Sequence, residues 1–190
     1  MRLTLICIAL TGALASPAFA HTGVGQTNSF ASGIAHPLTG ADHILAMVAV
    51  GLWAALRGGR AVWVWPMAFV ATMLGGFIAA TLGLQMPLVG PAIGSSIIIL
   101  GLLVALAANA PVWLGATIAG LFAFFHGHAH GTEAIGANLI PYAVGFAVTT
   151  AGLHVAGIGL ASTAERSIGK VAVRVMGGLT VLGGVVLIAG

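Results

Sequence analysis

Apolar residues fall along this chain in six long blocks, at about 35–56, 61–84, 89–109, 112–131, 138–163 and 171–189. Each comes near the roughly 20 residues a helix needs to cross hydrocarbon. Short polar or glycine–proline stretches separate them: Arg57-Gly58-Gly59-Arg60, Gln85-Met86-Pro87, Asn109-Ala110-Pro111, Glu133 to Asn138, and Glu165 to Lys170. The pattern predicts an all-α membrane protein, a six-transmembrane-helix bundle.

A shorter apolar run, Leu3 to Leu14, comes first, behind Met1 and Arg2 and ahead of Ala18-Phe19-Ala20. A short positive start, a short apolar run and an A-x-A site read as a secretory signal peptide rather than a span. The chain therefore divides into a signal peptide, 1–20, and a six-span membrane domain, 21–190. Cleavage removes Cys7 and leaves His21 as the first residue, outside the cytoplasm. Starting outside, the connections after spans one, three and five must be cytoplasmic. The mature basic residues Arg57, Arg60, Arg166, Lys170 and Arg174 all lie in or beside the connections after spans one and five. The positive-inside rule thus agrees with an N-out, C-out bundle in the inner membrane.

Composition removes the competing classes. Hydrophobic residues make up 59% of the 190 residues and charged residues 5%, against about 25% charged in a soluble domain. No length remains for a soluble catalytic domain. A net charge of +3 gives no reason to expect nucleic acid, and a lone cysteine offers no thiolate cluster. The 29 glycines read mostly as sites of close helix packing in lipid. Spans one to three and four to six are candidates for a diverged inverted pair.

Ionisable side chains inside a bilayer need a reason, because each costs on the order of 2.5–3.5 kcal/mol at a helix centre. Here they cluster. His36-Pro37-Leu38-Thr39-Gly40-Ala41-Asp42-His43 opens span one. If helical, His36 and His43 share a face with Asp42 beside it, although Pro37 and Gly40 make the opening turns suspect. Phe125-His126-Gly127-His128-Ala129-His130-Gly131-Thr132-Glu133 ends span four. His126 and His130 stand four apart, on one face, with Glu133 near it and His128 turned away. Span one runs inward and span four outward, so both clusters lie at similar depth in the outer half. Imidazole with carboxylate suits borderline divalent ions such as nickel, cobalt, zinc and copper, and two carboxylates supply countercharge to a dication. The expected metal ligands are His36, Asp42, His43, His126, His130 and Glu133. His21, His128 and His154 are further groups for the ion's entrance or exit. Trp53, Trp63, Trp65 and Trp113 read as an interfacial belt.

At these residues the chain resembles the HupE/UreJ family of nickel permeases. His36, Asp42 and His43 match that family's first-span pattern, His, five residues, Asp-His. Phe125, His126, Gly127, Ala129, His130, Gly131 and Glu133 match its fourth-span pattern, in which His128 occupies a free position. The resemblance implies nickel uptake, with cobalt for some members, in support of hydrogenase or urease metallocentres. No organic cofactor is expected, and the partners are the metal ion and lipid. The chain is not expected to be an enzyme. No G-x-x-x-x-G-K-[ST] sequence is present, and a membrane potential of 100 mV alone favours dication uptake by roughly 4.6 kcal/mol. The alternatives are a membrane metalloenzyme and a metal-binding accessory protein that does not transport. An intramembrane serine protease built on Ser95 or Ser96 with His154 leaves both clusters without a task.

Overall fold

The structure, a computed structural model, describes residues 30–134 and 138–190. The expected signal segment 1–20 and His21 lie outside the described residues. Helices α1 (Phe30–Thr39), α2 (Ala41–Arg57), α3 (Ala61–Thr81), α4 (Val89–Ala105), α5 (Val112–Glu133), α6 (Leu139–Ser167) and α7 (Lys170–Ala189) follow in order. No strand occurs among the described residues. Helices α3, α5, α6 and α7 are each long and apolar enough to cross a membrane, and α1 with α2 pass that test together. The described chain is thus all-helical, with four such helices or five counting the bent pair. Helix α4 is apolar but has 17 residues. It stops at Ala105, short of the expected 109, where Ala107 takes φ +49°, a conformation side-chain-bearing residues rarely adopt.

One expectation is corrected. Span one is not a single helix over 35–56: it begins at Phe30 and breaks at Gly40, where α1 and α2 meet at 85°. Gly40 is extended, with φ −94° and ψ 115°, while its carbonyl already accepts the first bond of α2 from the Ile44 N–H at 3.1 Å. His36 and His43 therefore do not share a helical face. The bend, rather than periodicity, brings them together.

Glycines set the helix pairing, since a bare Cα lets backbones approach where lipid gives no hydrophobic drive. A Cβ on Gly76 would strike the Phe124 carbonyl, one on Gly127 the Met73 carbonyl, and one on Gly131 the Phe77 carbonyl. Gly115 against the Trp65 ring, Gly127 against Met73 and Gly131 against Phe77 advance together along both chains, so α3 and α5 run parallel. Gly51 packs on the His154 carbonyl and Gly157 on the Val48 carbonyl. Helix α6 runs with α2 because both run opposite to α3: Phe69 meets His154 while Met73 meets Thr150, and the short connection after Arg57 folds α3 back on α2 with Trp53 against Trp65. Gly94 meets Ile188 while Gly101 meets Val181, so α4 and α7 are antiparallel. It follows that Arg57, Arg60, Arg166, Lys170 and Arg174 gather at one end of the bundle. The histidine-bearing turns of α2 and α5 lie toward the other.

The arginine end is tied and sealed. Arg57 Nε donates to the Ala110 carbonyl at 2.9 Å and Arg174 Nε to the Ala105 carbonyl at 2.8 Å. Trp53 and Trp65 are fully buried with ring centroids 4.1 Å apart. Their indole N–H groups donate to the Ala108 and Val112 carbonyls, each at 2.8 Å. An interfacial belt fits Trp63 and Trp113, which are exposed. It does not fit Trp53 and Trp65, which are core.

Candidate metal centre

Three helices converge on one pocket. The bend at Gly40 folds His36 of α1 back over His43 of α2, with ring centroids 6.0 Å apart. From α5, His130 lies 4.8 Å from His36 and 4.6 Å from His43. His126, one turn deeper on α5, lies 5.0 Å from His43. His36 Nε2 contacts Glu133 Oε2 at 3.0 Å. His36, His130 and Glu133 each present a ligand atom, all within 4.8 Å of one another. The two clusters of the sequence are one cluster in space.

Hydrogen bonds fix which nitrogens remain for a ligand. His43 Nδ1 donates to Asp42 Oδ1 at 2.8 Å, which leaves Nε2 as the lone pair. That atom is buried with no hydrogen-bond partner. The Ser96 hydroxyl has a single proton and donates it to the Ile93 carbonyl at 2.6 Å. Its 3.1 Å contact with His126 Nε2 is therefore donated by the imidazole. His126 Nδ1 is then a bare lone pair, likewise buried and without a partner. A carboxylate or hydroxyl holding the far side of an imidazole is the usual orienting arrangement behind a metal ligand. Such orphaned buried atoms call for an explanation in a folded protein.

Exposure falls along the pocket. Glu133, Asp42 and His36 side chains are 25%, 22% and 19% exposed, whereas His43, His126 and His130 are buried. The two carboxylates and His36 line the mouth, and the other three imidazoles the floor. Aromatic rings wall it: Phe146 stacks on His130 at 4.8 Å, and Tyr142 meets His36 edge-on at 6.1 Å.

His128 turns away from the cluster, donating Nε2–H to the Leu84 carbonyl at 2.7 Å; it anchors the α3–α4 connection. His154 lies deeper, apart from the cluster. Ser96 reaches His126 rather than His154, so the protease pairing does not form. Sequence reasoning missed Ser96 and Tyr142 as members of this pocket. The Ser95-Ser96 pair inside an apolar block was a signal for a hydroxyl, though not for its reach to His126. For Tyr142 the signal was a phenolic hydroxyl, the chain's single tyrosine, at the start of an apolar block.

No solved structure matches this chain. Over 180 residues it is 46% identical to Protein HupE of Rhizobium leguminosarum bv. viciae, an alignment that covers 94% of each chain. The family model described as HupE / UreJ protein matches residues 8–187. With that match running almost end to end, the chain belongs to the HupE/UreJ family.

Proposed function

We propose that this protein is an inner-membrane permease for a divalent transition-metal ion, nickel in the first place and cobalt as the alternative cargo. It would serve the assembly of hydrogenase or urease metallocentres. The observation that carries the reading is the meeting of His36, His43, His126 and His130 with Asp42 and Glu133 in one pocket. Two of its buried imidazole lone pairs have no protein partner. Nitrogen and carboxylate oxygen are donors that nickel and cobalt accept.

In this reading residues 1–20 are removed as a signal peptide, and the remainder forms six spans with both termini outside. Helix α4 supplies the sixth. Its 17 residues reach about 26 Å at 1.5 Å per residue, the short end of what spans a bilayer. The arginine end then faces the cytoplasm and the mouth faces out. A hydrated dication meets Glu133 and Asp42 first, where the carboxylates offset its charge as water is lost. Imidazoles then replace part of its hydration shell. The membrane potential supplies the inward drive, and no step consumes ATP.

The test is nickel influx into proteoliposomes under an imposed inside-negative potential, beside equilibrium binding to the same purified protein. His130→Ala and Glu133→Gln are expected to weaken binding and influx together, by about 10–100-fold. His128→Asn is expected to retain binding. Tight binding without influx in the wild-type protein assigns it to the accessory, non-transporting class. Absence of binding removes the proposal.

A further inference from the structure

Beneath the cluster, one buried group has no task in the reading above. His154 of α6 is 0% exposed, and neither ring nitrogen has a hydrogen-bond partner. A neutral imidazole always carries one N–H and one lone pair, so this site strands both a donor and an acceptor. A packing role alone would be met better by leucine or phenylalanine, which strand nothing.

The surroundings are specific. The Phe69 ring stands edge-on to His154 at 5.0 Å and lies 5.9 Å from His126. It separates the floor of the cluster from His154. Met73 follows Phe69 by one turn of α3, and its sulfur lies 3.6 Å from the hydroxyl of Thr150. Thr150 in turn precedes His154 by one turn of α6, on the same face. Thr150 and His154 thus follow one another along one face of α6, with the Met73 sulfur at Thr150. The His154 carbonyl packs on Gly51, eight residues and about 12 Å along α2 from His43. Because α6 runs parallel to α2, its side chains lean back toward the cluster.

We infer that His154, with Met73 and Thr150, is a second ion station that receives the dication from His126 past the Phe69 ring. This rests on the permease reading of the outer pocket. The chemistry differs between the stations in a useful way. The outer pocket carries two carboxylates and captures; the inner station is uncharged and holds weakly, so the ion can leave.

The experiment compares His154→Leu, His154→Gln and His154→Cys with wild type, using nickel chloride as the probe. Equilibrium binding to purified protein reports the outer pocket, and influx into proteoliposomes under potential reports passage. The leucine and glutamine variants are expected to bind nickel within about twofold of wild type while maximal influx falls about tenfold or more, a loss of rate without a loss of capture. Cysteine, which restores a donor to nickel, is expected to recover much of the influx. Wild-type influx in His154→Leu overturns the inference in favour of packing, and wild-type influx in His154→Gln overturns it in favour of a water. Joint loss of binding and influx in His154→Leu also overturns it, by showing that His154 supports the outer pocket. Wild-type protein that binds no nickel instead removes the permease reading, and this station with it.

Discussion

At the scale of single residues, Gly40 shows how little chain shapes the pocket. Its φ of −94° is open to alanine, so the backbone gives no reason for glycine. The space does: a Cβ there would lie 2.6 Å from Asp42 Oδ1 and 2.9 Å from His43 Nδ1. Gly40→Ala is therefore expected to fold normally yet displace the Asp42 carboxylate from His43, weakening nickel binding by about tenfold. Calorimetric titration beside a thermal melt checks this; unchanged affinity would sink the argument. The residue types of the pocket were legible in the sequence because histidine and acid inside apolar blocks are conspicuous. The withdrawal of His128 was legible too, from helical spacing. Ser96 was not, because a hydroxyl in a span, here one of the adjacent pair Ser95-Ser96, bonds its own helix as readily as a neighbour, and Ser96 does both.

At the scale of elements, adjacent glycines separate two roles that composition merges. Gly75 has open space around it, whereas Gly76 lies against the Phe124 carbonyl of α5. Gly75→Ala is expected to be neutral or to stabilise by up to about 1 kcal/mol through helix propensity. Gly76→Ala is expected to destabilise by about 1–3 kcal/mol, since α5 must retreat. Thermal unfolding of the two variants in one detergent makes the comparison, and equal melting temperatures would contradict the pairing. Sequence patterning located α3 to α7 to within a few residues, because each apolar block ends in glycine, proline or charge. It did not reveal the 85° break. Pro37 and Gly40 marked the opening turns as suspect, but hydropathy is blind to direction, and neither residue type specifies a bend of that size or its sense. The break matters all the same, for without it His36 would not reach Glu133.

At the scale of the molecule, the helix pairing is unchanged when each of α2 to α7 is shifted by three places. The pair α2–α6 becomes α5–α3, and α4–α7 maps to itself. This is the arrangement of an inverted repeat, and the sequence showed only its shadow. The two halves are not functionally equal. Polar side chains line the end that holds the cluster. Between His154 and the arginine end, the buried residues of α2, α3 and α6 are Leu52, Trp53, Ala54, Ala61, Trp65, Gly157, Ala161 and Ala164.

The indole pair within that apolar stretch bears on kinetics. Trp53 and Trp65 are pinned to the carbonyls of Ala108 and Val112 on either side of the α4–α5 connector. On the permease reading the indole pair closes the inner end, so that exit requires those bonds to release and each passage carries a conformational barrier. Flux is therefore expected to saturate at a finite turnover with steep temperature dependence, and planar-bilayer recordings in nickel should show no unitary current steps. Discrete openings would mean that the indoles do not close the inner end.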